Sequence, residues 1–235
     1  MYDCRMHLLY YLKNPGEEFR YSLRSAAKNL PVERVTVVGD APSWLKGAKV
    51  LSGNPTADQH MNSVANIHIA SRAYKDEFVV MNDDFFVLQP TTEIPYYWTN
   101  TLTAHAGMYT DPRSEVWRQL YTNTARYISQ KTGKMPKSFE LHVPMRVIGS
   151  EMNHILDQSA RSNVMQGPGL WRSLYGNLAE SVEEQGTIRR LDVKVHSVGK
   201  FNSATDYVST DEKTNQKIMP LIRDMFTEKS PWEKK

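Results

Sequence analysis

Cysteine is almost absent: Cys4 is the only one among 235 residues. An internal disulfide is therefore impossible, and a zinc centre built from several thiolates is excluded. Any metal must be held by Asp, Glu, His and water. Long apolar runs are missing too. The opening stretch MYDCRMHLLYYLKNPG is interrupted by Arg5 and His7, too broken for a signal peptide or membrane anchor, so a cytoplasmic protein without a membrane span is expected. No internal repeat, heptad series or low-complexity tract occurs. Neither charge sign dominates: 29 Lys and Arg against 26 Asp and Glu leave +3, with a pI near 8.8. That mild basicity helps an anionic partner such as a nucleotide or nucleic acid bind, but a solvated surface is the simpler explanation of it.

What is present is ordinary globular composition, 40% apolar and 23% charged, in a chain long enough to bury a sizeable core. One domain over residues 1–235 is the expectation. Residues 3–12 are apolar enough for a strand. Asn14-Pro15-Gly16-Glu17-Glu18 supplies a cap, a proline and acidic first-turn residues for a helix running to Leu30. Residues 34–40 are β-branched and bounded by turn residues, which reads as a second strand. The order β-α-β opens a parallel sheet. A short strand at 49–51, a helix over 59–74 and a strand over 77–82 continue it. Helices over 114–131, 150–162 and 211–228 make the second half more helical, so the expected class is α/β.

FVVMNDDFFVL, residues 78–88, is the most apolar stretch, yet Asp83 and Asp84 sit at its centre. Ligands of open α/β sheets bind beyond the carboxyl ends of the strands, and Phe78-Val79-Val80-Met81 would bring the chain to that edge. Two ionised carboxylates there demand a compensating cation. A divalent metal (Mn²⁺ or Mg²⁺) suits hard oxygen ligands and bridges to phosphate. The alternative is one Asp capping a turn beside another paired to an Arg.

Asn82-Asp83-Asp84-Phe85-Phe86 resembles the metal-binding Asp-X-Asp element of GT-A glycosyltransferases, in the form found in small phage-encoded glycosyltransferases and in Stealth-type sugar-phosphate transferases. Further blocks look alike in the same order. Glu18 to Ser25, Lys28-Asn29-Leu30-Pro31, Val37-Val38-Gly39-Asp40 and Pro42-Ser43-Trp44-Leu45 form the first; Glu140 to Met145 and Arg172 to Asn177 follow. Together they span roughly residues 14–180. The first strand, from Cys4 to Tyr11, departs from the family's apolar-to-polar form, and Ser203 to Asp206 matches its last block only loosely. The resemblance implies a GT-A-like, Rossmann-related mixed sheet flanked by helices. Residues 1–100 would be the nucleotide-sugar-binding half and residues 101–235 the acceptor-side half. It implies a metal-dependent enzyme that moves a sugar from a nucleotide-sugar donor to an acceptor hydroxyl. A hydroxymethylated DNA base or a virion protein is the acceptor its phage form suggests.

Under this resemblance Asp84 is the direct metal ligand, Asp83 lies nearer the ribose or a water ligand, and His196 completes the metal sphere. Arg20 and Arg24 lie four apart on one helix face and suit a donor phosphate, with Lys194 a further phosphate contact and His105 a candidate for the sugar pocket; otherwise the arginines bridge Glu17 or Glu18. Glu140 and His142 share a face if the segment is extended, and either suits the general-base task; otherwise they bind loop backbone. Arg172, Tyr175 and Asn177 suit one wall of the acceptor site, while Trp171 and Leu174 face the core. Asp192 to His196 alternates as a half-buried strand does. His60 and His68, on a helix face, read as packed or surface residues. The competing functions are transfer of a whole sugar-1-phosphate, a non-catalytic nucleotide or carbohydrate binding module, and a metal nuclease, the last disfavoured because no further acidic cluster accompanies the aspartates.

Overall fold

The computed structural model describes residues 5–54, 59–165 and 167–234. Cys4, the start of the expected first strand, and part of the loop after Leu51 lie outside the described residues.

Strand β1 (Met6–Leu12) is followed by helix α1 (Glu17–Asn29), β2 (Val32–Gly39), β3 (Lys49–Leu51), α2 (Gln59–Ala73) and β4 (Glu77–Met81). The second half contributes β7 (Met145–Ile148), which joins them in a five-stranded sheet of order β3-β2-β1-β4-β7. β1 pairs parallel with both β2 and β4, and β7 alone runs antiparallel, beside β4. This is a mixed, Rossmann-related, GT-A-like sheet. Because β1 and β4 are covered on both faces, each is a nearly continuous apolar run. The period of two then divides them: Leu8, Tyr10, Val79 and Met81 pack on the α1 side with Phe19 and Leu23, whereas Leu9, Phe78 and Val80 pack on the α2 side with Ile67.

After β4 the chain turns at Asn82 to Asp84 and enters a second, small sheet. There β5 (Phe85–Val87) pairs antiparallel with β9 (Tyr207–Ser209). Helix α1 fixes this departure, because Ser22 Oγ donates to Phe85 O at 2.6 Å, Val87 N–H donates to Ser25 Oγ at 3.0 Å, and Asn29 Nδ2 donates to Val87 O at 2.7 Å. A third pairing, β6 (Tyr97–Trp98) with β8 (Ile188–Arg189), is parallel.

The rest is helical: α3 (Leu102–Ala106), α4 (Glu115–Thr132), α5 (Gly149–Ala160), α6 (Trp171–Leu178), α7 (Glu180–Gln185) and α8 (Glu212–Met225). α5 starts so close to the end of α2 that a Cβ on Gly149 would meet Tyr74 O at 1.8 Å, which only glycine avoids. The expected strand over Asp192 to His196 does not form. Lys194 makes a single parallel bridge to Ser209 there. No described helix is long and apolar enough to cross a membrane.

Candidate active site

In the order β3-β2-β1-β4 the chain builds outward from β1 in one direction, then returns to place β4 on its other side. The crevice between the carboxyl ends of β1 and β4 is the switch point where open α/β sheets bind ligands. A three-lobed cleft opens there. Its first lobe is rich in amides, lined by Tyr11, Lys13, Asn62, Ser63, Asn66 and Asn82. The central lobe holds Asp83, Asp84, Glu18, Lys194 and Asp211. The third is aromatic and imidazole-rich, with His105, Tyr109, Tyr121, Glu140, Trp171 and Arg172. Ser63 and Asn82 line all three lobes; His142 and Lys194 line the central and third.

The aspartates occupy the turn that leaves β4. Phe85 N–H closes it on Asn82 O at 3.2 Å, and Tyr11 OH, from the end of β1, donates to Asn82 Oδ1 at 2.7 Å. Ser209 Oγ donates to Asp84 Oδ2 at 2.7 Å. Both carboxyls are half-buried. Burial, then the neighbouring Asp84 and then Glu18 push the Asp83 carboxyl up to about 7. Asp84 is raised as well, chiefly by burial, against the opposing pull of the Ser209 hydrogen bond, Lys194 and His142. Negative charge is thus under-compensated, most of all at Asp83.

This donor set fits a hard divalent cation: adjacent carboxylates whose ionisation a cation would favour, in a crevice open to a phosphate. Among the described residues no group of three or more His, Cys, Asp or Glu lies within ligating reach. A cation at this turn would have only the Asp83 and Asp84 carboxylates as protein ligands, with water making up the rest of its sphere. Among the described residues His196 joins no ligand trio with the aspartates; its Nδ1 lies 3.1 Å from Asp211 Oδ2, and it lines the third lobe.

His142 is bracketed. Its Nδ1 is 2.6 Å from Asp192 Oδ2 and its Nε2 is 3.4 Å from Lys194 Nζ. The Glu140 Oε1 accepts from both Ser173 N–H, at 3.0 Å, and Ser173 Oγ, at 2.8 Å, so one oxygen of this carboxylate serves the first turn of α6. His105 Nδ1 meets Ser138 Oγ at 2.9 Å, and its Nε2 lies 3.4 Å from Tyr121 OH. Burial lowers its pKa and favours the neutral ring. The Arg172 guanidinium packs over the rings of Trp171 and Phe85 and donates through Nη1 to Val143 O at 2.9 Å.

Eight of the residues singled out from sequence thus meet in one cleft: Asp83, Asp84, His105, Glu140, His142, Arg172, Lys194 and His196. Four do not. Arg24 forms a bidentate pair with Glu233, Nε to Oε1 at 2.7 Å and Nη2 to Oε2 at 2.8 Å, and lines a separate cavity between α1 and the end of α8. Arg20 lies over Trp44, 3.7 Å from the same Glu233; the partner is neither Glu17 nor Glu18. Tyr175 is fully buried, accepting from Ile148 N–H at 2.8 Å and donating to Glu151 Oε2 at 3.0 Å. Asn177 is spent on Lys137, accepting from its N–H at 2.9 Å and donating to its carbonyl at 2.8 Å. Helix α6 is the reason: its first turn keeps Trp171 in the core, as expected, and puts Arg172 at the cleft wall, while the next turn goes inward.

Sequence reasoning missed Asp192, Trp117, His60 and the α2 amides. Asn62 is 7% exposed, and its Oδ1 finds no protein partner. Trp117 stands 44% exposed at the cleft mouth with the His60 ring edge-on, 5.6 Å away. Only the spacing Asn62, Ser63, Asn66, polar residues inside an otherwise packed helix, hinted at the first group.

No family model matches this chain, and no curated protein sequence does. Among solved structures, it is similar to the apo form of the glycosyltransferase GlyE of Streptococcus pneumoniae TIGR4, with a TM-score of 0.40 and 9% identity over 94% of this chain and 51% of that one. A second structure of the same glycosyltransferase gives a TM-score of 0.40 and 10% identity over 79% of this chain and 45% of that one. The chain spans about half the length of those proteins.

Proposed function

We propose that this chain is a metal-dependent glycosyltransferase that moves a sugar from a nucleotide-sugar donor to an acceptor hydroxyl, with all of residues 1–235 acting as one catalytic unit. The observation that carries the reading is the under-compensated pair Asp83 and Asp84 at the switch point between β1 and β4, sharing its lobe with Lys194 and His142. The sequence resemblance over residues 14–180 supports the same conclusion.

In this reading the amide lobe takes the nucleoside, with Asn62 Oδ1 as a waiting acceptor. The diphosphate lies in the central lobe, where Lys194 supplies a point charge. Asp83 and Asp84 would hold Mn²⁺ or Mg²⁺, which when bound would supply Lewis-acid neutralisation of the charge on a leaving phosphate. The sugar and the acceptor occupy the third lobe beneath Trp117. There His142 Nε2 takes the proton of the acceptor hydroxyl as that oxygen bonds to the anomeric carbon. The bond to the donor diphosphate breaks, and its electron pair leaves on the phosphate oxygen. His142 is preferred to Glu140 as the base, because it lines both the central and the third lobe while a Glu140 oxygen is engaged with Ser173. Arg172 and His105 shape the sugar pocket from below.

The test is a nucleotide-sugar panel with Mn²⁺ or Mg²⁺, read by the released nucleotide. A nucleoside diphosphate supports the proposal; a monophosphate identifies transfer of a sugar-1-phosphate instead. A protein that neither binds nor cleaves any donor overturns it. Mass spectrometry of hydroxymethylated DNA and of virion proteins then identifies the acceptor.

A further inference from the structure

The Asp192 carboxylate makes three hydrogen bonds. Oδ1 accepts two backbone N–H groups, from His142 at 2.9 Å and from Val193 at 2.8 Å, and Oδ2 faces His142 Nδ1 at 2.6 Å. One residue therefore grips both the main chain and the ring of His142, from a segment 50 residues later in the chain. Burial opposes ionisation of Asp192, but the bonds from His142 and from the two N–H groups outweigh it and hold its carboxyl below the usual range. An ionised carboxylate only accepts, so Nδ1 must carry the proton. On the opposite side Lys194 Nζ stands 3.4 Å from Nε2, too long a contact to fix the place of the proton by itself.

We infer that Asp192 is a positioning residue that locks His142 in the Nδ1–H tautomer and aims its Nε2 lone pair at the acceptor hydroxyl. The inference rests on the reading of His142 as the base of the proposed transfer. It goes beyond that reading by making the base a two-residue device, assembled only when the loop at 140–144 and the segment after β8 meet. During transfer the hydroxyl proton goes to Nε2, leaving an imidazolium whose Nδ1–H is already held by a carboxylate. Asp192 keeps its charge throughout and acts through the ring of His142.

The substitution Asp192→Asn gives a sharp test, because the two backbone N–H groups dictate how the amide sits. They require an acceptor at the Oδ1 position, so the amide oxygen stays there and the NH₂ turns to His142 Nδ1. A donor facing Nδ1 forces the Nε2–H tautomer. Nitrogen NMR of uniformly labelled, metal-free protein reads this directly at a pH where the ring is neutral, the His142 signals being assigned by their loss in His142→Gln. The expected result is Nδ1–H in the parent, Nε2–H in Asp192→Asn, and Nδ1–H again in Asp192→Glu. Kinetically, Asp192→Asn should lower kcat by about 10²- to 10⁴-fold with the donor KM changed less than about threefold, while Asp192→Glu recovers part of kcat. An Nε2–H signal in the parent, no change of tautomer in Asp192→Asn, or an inverted tautomer with unchanged kcat overturns the inference. If the parent transfers no sugar at all, the proposed reaction fails, whereas the spectra still decide the lock.

Discussion

Arg24 and Glu233 are joined by two parallel hydrogen bonds across 209 residues of sequence, with side-chain exposures of 9% and 4%. The pair fastens the C-terminal segment to α1. Burial pushes the Glu233 carboxyl up, but the Arg24 fork and the Ser230 N–H outweigh it and leave it below the ordinary carboxylate range. Removing Arg24 leaves the buried Glu233 with only the more distant Arg20, at 3.7 Å, and the Ser230 N–H, a loss of up to about 3–5 kcal/mol. Arg24→Ala should therefore lower the urea midpoint strongly. Donor affinity, measured on the folded fraction, should not move. Weakened donor binding in a fully folded variant would return Arg24 to the phosphate role suggested by its sequence.

Asp83 gives the metal-free protein a particular pH dependence. Its carboxyl lies near 7 in the fold against an ordinary 3.8. Between these values the unfolded chain has released the proton and the folded chain still holds it, so stability falls as pH rises, by up to about 1.4 kcal/mol per unit. Asp83→Asn removes that contribution. The gap between parent and variant should widen from about pH 4 to about pH 7 in chemical denaturation without metal. Parallel curves would show that Asp83 is already compensated.

Asp84→Asn separates function from folding. The amide oxygen still accepts from Ser209 Oγ, and a carboxylate disfavoured by burial disappears. Thermal stability without metal should hold or rise, while Mn²⁺-dependent donor binding is lost and kcat falls by about 10²-fold or more. Metal-dependent binding that survives in this variant would remove Asp84 from the ligand set.

What was legible in the sequence follows from local rules. The runs in β1 and β4, the acidic first turn of α1 and the β-α-β order are properties of neighbouring residues, and β1 to β4 and the longer helices α1, α2, α4, α5 and α8 lie where the local pattern puts them. Asp83 and Asp84 stood out because a carboxylate pair inside an apolar run violates those rules. Arg24 was misread because its partner is the distant Glu233. Tyr175 and Asn177 were misread because a polar tip says nothing about which way its helix faces: the Tyr175 hydroxyl meets Ile148 N–H and Glu151 inside the core. Asp192 stayed invisible because alternation suggested a strand, and only folding brings it to His142.

Glu140 and His142 both carry the chemistry of a base, and their surroundings predict opposite responses to mutation. Glu140→Gln keeps an oxygen for Ser173 N–H and Oγ but loses the negative charge at the first turn of α6. The expected loss is about 0.3–1 kcal/mol of stability, with kcat within a few-fold of the parent. His142→Gln removes the only imidazole held between Asp192 and Lys194, and kcat should fall by about 10²- to 10⁴-fold with little change in the denaturation midpoint. Steady-state kinetics beside urea unfolding on the two variants separates the roles. A collapse of kcat in Glu140→Gln, with His142→Gln active, would reverse the assignment and make the Ser173 contact part of a carboxylate base.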